Sequence, residues 1–444
     1  MKTFAAAIVA SACALSTAAQ DLGHKAGPQS TPIAIVNASV HPVSSPSIGK
    51  GFVFFDDGQI VEVGEGDRVF PEGTRVIDAT GMQVWPGLIA PVTELGLVGM
   101  FAVRQSRDFN EVGEFTPEAR AAVATNPDST IIPVTRSNGI LTYGAFPTSG
   151  AVPGTASVMR TDGWTSDSMA LLPDAGVIIN WPSMRPSQDW WADEPDAEQR
   201  ERIRERLDMI DTFFQQAGSY RDGDRPVTDL RFEAAMISLP GADGSEPLRP
   251  TFINANDVDQ INAAVVWAVG MGMRPVIVGG RDAMLCAELL AAHDVPVILG
   301  GTQRFPKRAD MPHDDPYTLP QRLTEAGVRW CMASSDRTAH ERNLPYNAAK
   351  SVAFGLSIDD AMRGLTLSTA EILEVDAEIG SLDAGKAATI IITDGNPLEV
   401  TTETIAALID GRQIDVGNKQ TELAEKYRAK YRQTGMIDAA GGGE

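Results

Sequence analysis

The order of apolar and polar positions divides this chain into three stretches. Between residues 31 and 86 the runs PIAIVNASVHPV, GFVFFDDGQIVEVG and TRVIDATGMQVWPG set short aliphatic segments between turn residues. Their alternation, with Asp56-Asp57-Gly58 as a hairpin signal, predicts a small β-sheet. The same texture returns in GSLDAGKAATIIITDGN and IAALIDGRQIDV, at 380–396 and 405–416. Two strand-rich ends around a different middle predict one discontinuous β-sandwich domain over residues 31–85 and 375–418.

The middle, 86–374, alternates strands with helices. RPTFINAN leads into the helical run DVDQINAAVVWAVGMG, and RPVIVGG into RDAMLCAELLAAHDV. VPVILGG and EAGVRWCMASSD follow. These strands are aliphatic on both faces, which implies a parallel sheet covered on each side. Four such units fit a barrel or a doubly wound sheet. Residues 193–220 place Ile203, Leu207, Ile210 and Phe214 at helical spacing, and predict a helix packed on the surface. A helix is also predicted over TELAEKYRAKYRQ, within a C-terminal helix and tail over 419–444.

The N-terminus changes the picture of where the protein works. Lys2 precedes an apolar run from Phe4 to Leu15, and Thr17-Ala18-Ala19 ends it with small residues. That order reads as a secretory signal peptide over 1–19, so the expected location is periplasmic or secreted. Ala10-Ser11-Ala12-Cys13 matches a lipoprotein box only loosely. Of the three cysteines, Cys13 leaves with the signal, while Cys286 and Cys331 sit in apolar runs, so no disulfide framework is expected. The 59 acidic against 37 basic residues, a formal net charge of −22, exclude nucleic acid and anionic membrane surfaces as natural partners. Membrane insertion is excluded too, because no second apolar stretch reaches spanning length. A small-molecule ligand remains open.

Several segments together resemble one family. They are VIDATGMQVWPGLIAPVTELGLVG (76–99), TPEARAAVATNPDST (116–130), RSNGILTYGAFPTSGAVPGTASVMRTDGWT (136–165), NLPYNAAKSVAFGLSIDDAMRGLTLSTAEIL (343–373) and IGSLDAGKAATIIITDGNPLEV (379–400). The pattern is similar to the amidohydrolase superfamily, nearest its imidazolonepropionase- and dihydroorotase-like members. The resemblance implies an α/β fold: a distorted (β/α)8 TIM-like barrel with a discontinuous β-sandwich built from both chain ends. It also implies a hydrolase of non-peptide carbon–nitrogen bonds that uses zinc or another divalent metal. In that family a histidine pair follows the first barrel strand, single histidines follow the fifth and sixth, and an aspartate follows the eighth. Bound metal lowers the pKa of water from about 15.7 to about 7 and supplies hydroxide at neutral pH.

This chain departs from that pattern at the ligands. The stretch Gly87 to Gly96 lines up with the first-strand motif and puts Val92 and Glu94 at the two histidine positions. Asn254-Ala255-Asn256 stands after the fifth strand, Gly279-Gly280 after the sixth, and Ser334-Ser335-Asp336 after the eighth. The five histidines are His24, His41, His293, His313 and His340, and only the last two fall in loops that reach a barrel mouth. Several imidazoles converging on one point are what zinc requires, and no metal ligand set is assigned. The candidate catalytic residues are Asp336 and Glu94, as proton carriers or as turn and rim residues. The candidate substrate-binding residues are Asn254, Asn256, Arg281 and His340; helix capping by Asn256 and solvent exposure for Arg281 and His340 are the alternatives. Three readings compete: a ligand-binding relative without turnover, a hydrolase using the Glu94 and Asp336 carboxylates, and a partner of a histidine-complete homologue in a hetero-oligomer. A homo-oligomer is equally open.

Overall fold

In the computed structural model the described residues are 23, 25–187, 194–225, 227–308, 311–335 and 337–437. The expected signal peptide and Asp336 lie outside them.

The strand-rich ends share one eight-stranded sheet. Its N-terminal members are β1 (Ile33–Val40), β2 (Ile48–Asp56), β3 (Gln59–Glu65), β4 (Arg75–Asp78) and β5 (Gln83–Pro86). The hairpin signal is real: β2 and β3 pair antiparallel across Asp57 and Gly58, both with positive φ. The C-terminal end adds β14 (Ile390–Thr393), β15 (Thr404–Ile409) and β16 (Arg412–Ile414). β14 pairs antiparallel with β5, Ile391 opposite Trp85, so residues three hundred apart in sequence meet in one ladder. Ile35, Val53, Phe55, Val84, Ile390 and Leu408 pack together as its core.

The middle forms a second eight-stranded sheet: β6 (Leu88–Thr93), β7 (Ile140–Ala145), β8 (Thr155–Arg160), β9 (Ala170–Asn180), β10 (Thr251–Ala255), β11 (Pro275–Gly279), β12 (Val297–Leu299) and β13 (Trp330–Met332). β13 returns to pack on β6, and the sheet is a nearly closed TIM-like barrel. β9 through β13 are all parallel, and the return of β13 to β6 settles the choice between barrel and doubly wound sheet for the four units read from the sequence. The distortion lies at β8, antiparallel to both β7 and β9. The connections 146–154 and 161–169 are too short for the helical crossover a parallel neighbour requires.

Outside the barrel, the helix Asp196–Asp222 buries Ile210, Phe213, Phe214 and Ala217, and Phe214 meets Trp267 edge-on at 5.6 Å. The barrel and the flanking sheet are tied by charge as well as by packing. Asp162, just beyond β8, accepts from Arg136 at 3.2 Å and from Arg412 of β16 at 3.1 Å, and all but Arg412 are almost fully buried. Cys286 and Cys331 are free and buried, and burial pushes both thiols up, Cys286 to about 11. No helix among the described residues is long and apolar enough to cross a membrane.

Candidate functional site

In a barrel of this kind the loops after the strands carry the chemistry, because the strands hold them in fixed register while leaving them free in sequence. Here a cavity of about 600 Å³ opens at the ends of β6, β10, β11, β12 and β13. Its floor is apolar, from Val92, Val278 and Ile298, and its rim is polar.

Three of the sequence candidates meet in it: Asn254, Asn256 and Arg281. Asn254 ends β10 opposite Asn180 of β9, and its Nδ2 donates to Asn180 Oδ1 at 2.6 Å. Asn180 Nδ2 in turn donates to the carbonyls of Thr148 and Gly150 at 3.0 and 2.9 Å. Asn256 turns its side chain toward the barrel instead of capping the next helix. Asp257 is the N-cap of Val258–Gly270, with Gln260 completing the capping box. The amide of Asn256 lies over Gly279, whose φ is +101°.

Glu94 lies on the rim but does not line the cavity. Its carboxylate accepts from Thr148 Oγ1 at 3.3 Å, which joins it through Thr148 and Asn180 to Asn254. Burial raises its pKa above the usual carboxylate range. His340 is exposed in the short turn Thr338–Asn343 and does not line the cavity. Asp336 follows Ser335, a non-glycine residue with φ +51°, so the described chain enters that position in a strained, left-handed conformation.

Sequence reading missed Asn180, Arg304 and Asn347. Arg304 reaches the same cavity as Arg281. Burial and the charge of Arg281 hold its guanidinium below the ordinary arginine range. Its Nη1 is buried with no hydrogen-bond partner among the described residues. Asn347 is buried and clamps the loop that carries it: its Oδ1 accepts from Thr302 N at 3.0 Å, and its backbone carbonyl accepts from the Thr302 hydroxyl at 2.9 Å. A signal for Arg304 was present, since an arginine follows each strand-terminal Gly-Gly pair, at 281 and at 304. Asn180 closes its apolar strand as Asn254 does, at an equivalent register.

The divalent metal implied by the resemblance can be tested against these residues. Position 92 presents a valine to the cavity. At position 279 a Cβ would sit 2.6 Å from Asn256 Oδ1, so the space a histidine would need is filled and the backbone there disfavours any side chain. At position 301 a Cβ would meet the Ser334 carbonyl at 2.1 Å. Among the described residues no group of three or more His, Cys, Asp or Glu side chains could hold a metal ion. These residues do not fit a divalent ion held as that family holds it.

Comparison with known proteins follows the same line. The model of the amidohydrolase family matches residues 252–421. An imidazolonepropionase from Symbiobacterium thermophilum is 25% identical over 367 residues, covering 76% of this chain and 82% of that protein. The crystal structure of an amidohydrolase from Thermotoga maritima MSB8 superposes with a TM-score of 0.74 at 22% identity, over 86% of this chain and 99% of that one. Molinate hydrolase superposes with a TM-score of 0.51 at 16% identity, over 89% and 96% of the two chains. These structural likenesses speak to the fold.

Proposed function

Because this chain belongs to the amidohydrolase superfamily, whose fold supports a hydrolase, we propose that it is a member in which the barrel mouth serves as a binding site for a small polar molecule without the family's metal-activated water. One observation carries this reading. The cavity has a polar rim, yet Val92 and Gly279 line it and Asn256 occupies the space over Gly279 that a histidine would fill. The side chain beside Gly279 is therefore an amide, which offers hydrogen bonds to a polar ligand and is a poor ligand for zinc.

Metal analysis of the purified mature protein tests the reading. Transition metal well below one equivalent per chain is the expected result, and a stoichiometric metal that survives dialysis overturns it. Export is part of the same proposal, supported by the charge, apolar core and small-residue end of residues 1–19. N-terminal sequencing of the protein recovered from the producing cell is expected to begin near Gln20.

A second reading, a hydrolase working through the Glu94 and Asp336 carboxylates, is favoured by the burial of Glu94, which raises its pKa in the direction a proton donor needs. Under that reading Asp336→Asn abolishes hydrolysis of an amide or lactam substrate while the melting temperature holds. Turnover retained in that variant rules the reading out.

A further inference from the structure

Around most of the barrel, each arginine has a carboxylate. Arg308 pairs with Asp282 at 3.0 Å, Arg322 with Asp315 at 2.9 Å, and Arg329 with Asp294 at 2.9 Å. The two arginines of the mouth cavity have none among the described residues. Among the described residues, Arg281 and Arg304 are the only charged ones that line the cavity, and neither side chain makes a hydrogen bond or ion pair with another described residue. Two like charges held close, one of them with a buried and unpartnered Nη1, cost free energy that among the described residues only Asp315 and Asp282 offset, and those two carboxylates are already paired with Arg322 and Arg308. In a protein of formal net charge −22, a cationic concavity of this kind is an arrangement that needs a counter-charge from outside.

Building on the reading of the mouth as a binding site, we propose that this cavity holds a small organic oxyanion, a carboxylate or a phosphate monoester, between Arg281 and Arg304. Guanidinium groups bind both oxyanions through paired N–H donors, and are less strongly hydrated than ammonium groups, so they are suited to partly buried anion sites. The anion must be organic because about 600 Å³ is far more than a free phosphate fills and lies within the range of small-molecule pockets. The remainder of the ligand meets the amides of Asn254 and Asn256. Asn254 Oδ1 stays available as an acceptor, since only its Nδ2 is engaged by Asn180, and the side-chain amide of Asn256, unlike its backbone N–H, makes no hydrogen bond among the described residues. The depressed Arg304 pKa accords with this, because a bound oxyanion relieves both of its causes, burial without a partner and the charge of Arg281. Asn347 contributes by position: it fixes the loop on which Arg304 is carried.

Calorimetric titration of the full mature protein with glutarate, glycerol 3-phosphate, inorganic phosphate and the neutral isostere glutaramide tests the proposal. Glutarate or glycerol 3-phosphate is expected to bind saturably, at least about tenfold tighter than glutaramide, with affinity falling as salt is raised. Whichever organic anion binds identifies the oxyanion class. Arg281→Gln and Arg304→Gln should each weaken it by about tenfold or more, and Arg304→Lys, which keeps the charge but not the fork, should fall between. Melting curves with and without the anion control for folding: the anion should raise the wild-type midpoint and leave that of R304Q unmoved. No saturable binding by either organic anion, equal binding of glutaramide, equal binding of inorganic phosphate, or unchanged affinity in both glutamine variants each overturns the proposal. Metal content measured on the same sample separates the two claims. Anion binding lost in R304Q in a zinc-loaded protein leaves this inference standing while the metal-free reading fails, and a metal-free protein that binds no anion does the reverse.

Discussion

The two ends of the barrel treat arginine in opposite ways. At the base, Arg249 and Arg274 precede β10 and β11 and share one carboxylate, Glu374, at 3.1 and 2.5 Å. Arg274 also donates to the carbonyls of Pro247 and Leu248. Close to the same end, Arg136 and Arg412 share Asp162. At the mouth, Arg281 and Arg304 follow β11 and β12 and share nothing among the described residues. Residue type and partial burial are similar, and Arg136 and Arg274 each also keep a buried Nε without a partner among the described residues; what differs is the carboxylate. A pair of arginines closed on a carboxylate belongs to the architecture, whereas a pair left open toward a cavity is arranged for something that arrives. The general separation of stability at the base of such barrels from function at the mouth takes a specific electrostatic form here.

The comparison is sharpest where the satisfied charges are most buried. Asp162→Asn removes the shared partner of two arginines, Asp162 itself being 3% exposed. Breaking a buried ion network in this way costs about 3–5 kcal/mol, and urea melts should show it as a lowered midpoint with unchanged slope. Glu374→Gln does the same at the base, but the three side chains there are 24–38% exposed, so the expected loss is about 1–2 kcal/mol. Arg304→Gln is the opposite case. It deletes an unpaired charge, and the unliganded stability should stay within about 0.5 kcal/mol of wild type. A loss as large as that of Glu374→Gln would mean that Arg304 is structural after all, and the contrast between the two ends would collapse.

The smallest effect concerns pH. Burial raises the Glu94 carboxyl above its ordinary value of about 4.5, so the folded state holds that proton more tightly than the unfolded chain. Its stabilising contribution is therefore fully present below about pH 4.5 and is lost as the pH climbs through the raised folded value. Glu94→Gln should flatten the stability curve over that window, measured by denaturant melts at a series of pH values. An unchanged slope would show that Glu94 is as well solvated as an ordinary surface carboxylate.

Much of the fold was legible because it rests on local pattern. Aliphatic strands without polar alternation, such as PVIVGG and VPVILGG, demanded cover on both faces, and parallel strands β9–β13 supplied it. The sheet shared by both chain ends could be read from their common texture. The antiparallel β8 could not, since its direction follows from connection length and ladder geometry and not from the composition of TASVMR. In the site, Asn254, Asn256 and Arg281 were visible from their place after strands. Glu94 was visible too, but its role on the rim depends on Thr148 and Asn180, from two other loops and strands.

By itself, the order of residues determined that Val92, Glu94, Asn254 and Gly279 stand at or just after strand ends, and that the molecule carries a large excess of negative charge. Those are properties of single positions and of sums. Only the tertiary structure decided that Asn256 fills the space over Gly279 and that Arg281 and Arg304, on separate loops, share a cavity with no carboxylate among the described residues. The reason is physical: whether a charge or an amide is satisfied depends on what lies within a few ångströms of it, and chain order does not state that distance.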